Sequence, residues 1–136
     1  MQIDKLWNKA DNLKKECEKL FEQVQDPGQM GHYDKVANDL TICYYELNDM
    51  VATLRKRWNV TKANRKEKEG RITDEYRAEG LTITESKSKT MTAIREQIQK
   101  ELEDEYFFEE TFRKTSSIEK LRETVRSTLK FLREIK

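Results

Sequence analysis

Eight cationic side chains crowd into residues 55–71: Arg55, Lys56, Arg57, Lys62, Arg65, Lys66, Lys68 and Arg71. Only two acids, Glu67 and Glu69, interrupt them. The local excess is six positive charges in a chain whose formal net charge is +1, so the remainder is acidic by five. Guanidinium and ammonium groups at this density neutralise phosphates and release the counterions condensed on them. Residues 61–71 contain no large apolar side chain, so a helix there has no face to bury and is expected to project into solvent, free to meet a polyanion. The other reading is a solvated helix face, because Lys, Arg and Glu are good helix formers in their own right. Trp58 borders the cluster. It fits an apolar stripe as a packing residue, and an aromatic at that place could also stack on an unpaired base.

Other chemistry is thinly represented. His32 is the single histidine and has no cysteine near it, so a zinc site is not expected. Cys17 and Cys43 fall on apolar stripes and read as small buried hydrophobes, with a disulfide between the first two helices as the alternative. There is no glycine-rich phosphate loop. Ser116 and Ser117 read as helix-cap residues, and acidic pairs such as Glu109 and Glu110 as solvated charges. Tyr106, Phe107, Phe108 and Phe112 read as packing. The expectation is a protein that is not an enzyme and uses no metal and no cofactor.

The elements that must carry the cluster are helical throughout. Ile3, Leu6, Ala10, Leu13, Cys17, Leu20 and Val24 recur at steps of three and four, which places them on one face of a first helix over residues 1–25; Trp7 and Phe21 widen that stripe. Pro27 and Gly28 are expected to end it, and a short connection returns the chain antiparallel. A long helix is expected over 33–69, with Tyr33, Val36, Ala37, Leu40, Tyr44, Leu47, Val51, Leu54 and Trp58 on its inner stripe and the basic end beyond. Residues 70–86 read as a mobile connection, with Gly80 as a stop and Thr82 and Glu85 at the spacing of a capping box. Residues 86–136 form one helix or two. Met91, Ile94, Ile98, Leu102, Tyr106 and Phe112 mark the first stretch, and Ile118, Leu121, Val125, Leu129, Leu132 and Ile135 the second. The fold class is therefore all-α: a long antiparallel helical hairpin plus one or two C-terminal helices, packed in coiled-coil fashion within a single domain over 1–136.

Composition agrees. Charged residues make up 39% of the chain and hydrophobic residues 35%, with one proline. So few apolar residues on such long stripes leave part of each stripe wet in a lone copy, which favours a homo-oligomer. The N-terminal sequence has no uninterrupted apolar run of the signal-peptide kind, and no segment has the roughly 20 apolar residues that span a bilayer. A soluble cytoplasmic protein with no membrane contact is expected.

The run YDKVANDLTICYYELNDMVATLRKRWN, the basic KANRKEKEGR after it, the later KSKTMTAIREQIQKELE and the amphipathic tail LRETVRSTLKFLREIK together resemble the small phage recombination mediators of the UvsY type. The resemblance covers most of the chain, from Tyr33 onward. It implies a helical protein that forms ring-like oligomers through its C-terminal helices, binds single-stranded DNA and helps load a recombinase. By that likeness Lys62, Arg65, Lys66 and Lys68 line the DNA path, and Leu121, Val125, Leu129 and Leu132 sit in the oligomer interface. The expected function is a single-stranded nucleic-acid-binding accessory protein in recombination or repair. The alternatives are a small phage or mobile-element protein that docks on a host nucleic-acid enzyme and blocks it, with the acidic stretch 101–110 as its active face, and a structural coiled-coil scaffold.

Overall fold

A computed structural model describes residues 2–135. The described residues form four α-helices, one 3-10 turn and no strand, the all-α architecture that the apolar periodicities predict. They pack as two compact units, residues 2–51 with 110–135, and Ala52–Glu109.

The first unit begins with α1 (Ile3–Phe21), which buries Leu6, Ala10, Leu13, Cys17 and Leu20 along one face. The helix stops short of its expected end, and Val24 is 84% exposed, so the last heptad position takes no part in the seam. Pro27 is not the residue that stops it. Pro27 instead opens the 3-10 turn Pro27–Gln29, where its fixed φ suits a first position and its missing N–H costs nothing. Asp26 caps that turn: its carboxylate accepts from the Gly28 N–H at 2.8 Å, and the Gln29 side-chain oxygen accepts from the Asp26 N–H at 3.3 Å. The turn feeds directly into α2 (Met30–Ala78).

Within this unit the early part of α2 buries Tyr33, Val36, Leu40, Cys43, Leu47 and Met50. The steps alternate strictly between three and four, a heptad seam in which Cys43 takes the place that the sequence pattern suggests for Tyr44, while Met50 is buried beside the expected Val51. The α1–α2 pair is antiparallel: Lys9 meets Glu46 at 2.6 Å, and His32 lies 3.6 Å from Glu16 at the other end. The late part of α4 (Arg95–Glu134) completes the unit. It contributes Ile118, Val125, Leu129 and Leu132 to the core, donates from Lys114 to Asp11 at 2.8 Å, and accepts the Trp7 indole N–H at Thr111, also at 2.8 Å. Of the residues expected in an oligomer interface, Val125, Leu129 and Leu132 are buried within this unit and Leu121 is half-buried, so little of their apolar area is open at its surface.

The second unit holds the rest of α2, α3 (Ile83–Ala93) and the early part of α4. The expected connection over 70–86 contracts to residues 79–82, because α2 continues to Ala78 and α3 starts at Ile83. Gly80 ends α2 with φ at 95°. The Leu81 N–H reaches the Tyr76 carbonyl and the Gly80 N–H the Arg77 carbonyl, the paired bonds of a Schellman stop. Thr82 then starts α3 by accepting from the Glu85 N–H at 3.2 Å, while its hydroxyl donates to the Glu85 carboxylate at 2.9 Å. Ser86 and Thr90 are buried, and the hydroxyls of Thr90 and Thr73 lie 2.9 Å apart across the α2–α3 contact.

Ile94, at φ −105° and ψ 17°, breaks α3 from α4. From Arg95 the chain is one helix, and Ser116 and Ser117 lie inside it rather than capping a new one. The apolar stripe expected from Met91 to Phe112 is split: Ile94 is buried and Ile98 half-buried, but Met91 on α3 and Leu102, Tyr106 and Phe112 on α4 are exposed. The inward positions continue the register of Ile118 backwards instead, through Thr115, Thr111 and Asp104, all buried. Thr115 returns its hydroxyl to the Thr111 carbonyl at 2.8 Å, so a small polar side chain sits in the seam without an unmet hydrogen bond.

Candidate functional site

The basic cluster occupies the part of α2 that belongs to the second unit, where its inner stripe faces α4. Leu54 is the last fully buried apolar side chain on that stripe. One turn on, Trp58 stacks against Phe108 with ring centroids 5.4 Å apart. The Lys62 ammonium lies 5.4 Å from the Trp58 ring and the Arg55 guanidinium 5.2 Å from the Phe108 ring, contacts in which a cation meets the negative face of an aromatic. Trp58 thus has the packing role.

Beyond Trp58 the seam between α2 and α4 turns polar. Thr61 donates to Asp104 at 2.5 Å, and Asp104, 1% exposed, has the Lys100 ammonium 3.5 Å from its other oxygen. Arg65 donates through Nε and Nη2 to the two oxygens of Glu101, at 2.6 and 3.2 Å, and through Nη1 to Glu69 at 2.7 Å. This is a two-pronged guanidinium–carboxylate contact of the strong, directional kind. The hydrogen bond from Arg65, aided by the nearby charges of Lys62 and Lys66, holds the Glu101 carboxyl below the ordinary carboxylate range, against the opposing pull of burial. In the amide orientation that satisfies both ends of its side chain, Gln97 accepts from Lys68 at 2.8 Å and donates to the Ile94 carbonyl.

The eight cations are therefore divided. Arg65 faces inward and is held by carboxylates of its own chain. Lys62 and Lys68 are half-buried against Trp58 and Gln97. Arg55, Lys56, Arg57, Lys66 and Arg71 are exposed. Helical spacing sets Arg55, Lys62 and Lys66 on one flank of the seam and Arg57, Lys68 and Arg71 on the other. Among the described residues, Arg65 alone of the eight makes an ion pair. The acidic stretch 101–110 does not form one open face. Glu101 and Asp104 turn into the seam, and Glu110 pairs with Arg113 at 2.7 Å and Lys114 at 3.8 Å.

The remaining candidates are structural. Cys17 and Cys43 are buried free thiols, and burial pushes each from 9.0 up to about 11. Cys17 neighbours Tyr33 while Cys43 neighbours Lys9, so the antiparallel register sets the thiols at different levels of the hairpin and does not offer them to one another. A second basic stretch, residues 113–133, carries seven cations against Glu119 and Glu123. Its signal in the sequence is Arg122, Arg126 and Arg133 at steps of four and seven, masked there by the stronger apolar pattern of the same helix. Compared with known proteins, the chain matches no family model, no curated sequence and no solved structure.

Proposed function

We propose that the chain is a non-enzymatic, cytoplasmic accessory protein that binds single-stranded nucleic acid through the outer face and flanks of the basic end of α2, and that it works as a homo-oligomer in recombination or repair. One observation carries the reading: seven of the eight cations in residues 55–71 have no carboxylate within ion-pairing distance among the described residues, and five of them are exposed. In a chain with nearly balanced charge, cations usually alternate with acids along a helix; here they are left to an outside anion. The phage-mediator likeness of the sequence adds the recombination setting. Arg65 has a different part in this reading from the one its position in the sequence suggests. It fixes α4 against α2 and so holds Lys62 and Lys66 in place, while the open cations meet phosphate.

The test is anisotropy of a labelled oligothymidylate a few tens of bases long, titrated over a range of salt. If about five phosphates are neutralised, log K should fall against log salt with a slope of roughly −3 to −4. The variant K56E/K66E/R71E changes only exposed side chains. It should bind at least about a hundredfold more weakly with an unchanged helical circular dichroism spectrum. Equal binding by parent and variant rejects the proposal.

A further inference from the structure

The first unit contains a groove that the α2 cluster does not touch. Its α4 wall presents Arg122, Arg126 and Arg133, and its α2 wall presents Asp34, Asn38 and Thr41, around a cavity of about 330 Å³. Three arginines thus border a space whose lining holds a single carboxylate among the described residues, and Asp34 pairs there with Arg133, at 3.5 Å. Arg122 is fixed rather than floppy: its guanidinium lies 4.5 Å from the Tyr44 ring and 5.9 Å from the Tyr45 ring. Its Nε is buried with no acceptor among the described residues, and an unmet buried donor on a charged group is costly unless something accepts from it.

We infer that this groove is a binding site for a phosphate group. The chemistry selects that class. A carboxylate has two oxygens and one charge, whereas a phosphate ester brings up to two charges and three terminal oxygens, which suits several planar forks converging from one helix face. Asn38 and Thr41 add neutral hydrogen-bonding groups on the opposite wall. Asp34 is the one opposing charge, and by holding Arg133 it competes with the ligand. The phosphate arrives either on a free small molecule, as a terminal phosphate with that full set of oxygens, or in a nucleic-acid strand, where each internal phosphodiester keeps one charge and two terminal oxygens and engages fewer of the forks. The site uses none of the residues proposed to grip nucleic acid on α2, so it stands or falls separately.

The experiment follows the arginine Nε–H resonances of the full chain by NMR, with inorganic pyrophosphate, a nucleoside diphosphate and a short oligothymidylate as probes. Each titration is run on the parent and on K56E/K66E/R71E, which removes the α2 contribution. The Arg122 Nε–H signal should shift saturably in both backgrounds. A response to pyrophosphate and the diphosphate identifies a free phosphate compound as the ligand; a response to the oligonucleotide alone identifies a strand. R126A, which removes an exposed side chain, should weaken the apparent affinity about tenfold, and D34N should strengthen it by about threefold because it releases Arg133. The proposal is overturned if no probe moves the Arg122 signal, if R126A binds as tightly as the parent, or if D34N fails to gain affinity.

Discussion

Arg65 and Glu101 show how one residue pair can hold the fold and limit the function together. The pair is bidentate, with the Glu101 side chain 15% exposed, so replacing one partner leaves a largely desolvated charge short of hydrogen bonds. E101Q should cost about 2–3 kcal/mol in chemical denaturation at neutral pH. It should also tighten oligonucleotide binding, because Arg65 and the field around Lys62 and Lys66 lose their internal counter-charge. The pH dependence has a fixed sign. Glu101 titrates below 4.5 when folded, so its stabilisation is fully present above that value and is lost as pH falls through the depressed one. E101Q should lack this part of the acid sensitivity. A variant that loses stability without gaining affinity would assign the pair to packing alone and remove it from the binding surface.

At the scale of elements, two glycines, one inside α2 and one just past its end, have opposite consequences. Gly80 stands in the left-handed region at φ 95°, with nothing within 4 Å of the place its Cβ would occupy, so only backbone strain opposes a side chain there. G80A should destabilise the protein by about 1–2 kcal/mol. Gly70 lies inside α2, exposed and equally unobstructed, and G70A should stabilise by about 0.5–1 kcal/mol. Urea midpoints of the two variants should move in opposite directions. The same pair explains what was legible in the sequence. Gly80 reads as a stop because its neighbours Leu81 and Thr82 begin something new, and the Thr82–Glu85 spacing announces it. Gly70 reads as the start of a loose connection because the residues around it are polar, yet α2 continues past it and meets α3 through the hydroxyls of Thr73 and Thr90, a polar contact that leaves no apolar stripe to read. The heptads of α1 and the Tyr33-to-Leu54 seam were visible for the opposite reason: apolar side chains at regular steps are what a hydrophobic interface requires. Along α4 the inward positions include Glu101, Asp104 and Thr111, which meet Arg65, Thr61 and Trp7 from other helices, and no local pattern in one sequence identifies such partners in advance.

For the whole molecule, the distinction that matters is between apolar surface enclosed within the chain and apolar surface left over. Leu132 is 0% exposed, whereas Phe131, its neighbour in sequence, is 48% exposed, and Ile135 lies one turn beyond Phe131 and is exposed as well. A seam between copies has to draw on side chains of the second kind, since Val125, Leu129 and Leu132 are already enclosed. The two classes respond differently to dilution. L132A opens a cavity in the first unit and should cost about 2–5 kcal/mol, with a thermal midpoint lowered by the same amount at every protein concentration, because the lost contacts are within one chain. F131S removes apolar area from the outside; if copies join through this face of α4, it should lower the molar mass measured by light scattering and make the midpoint less dependent on concentration, while helical content stays constant. A concentration-dependent loss in L132A would place Leu132 back in the interface between copies. An unchanged mass in F131S would move the search for that interface to other exposed apolar side chains, among them Leu102 on α4 and Ile42 on α2.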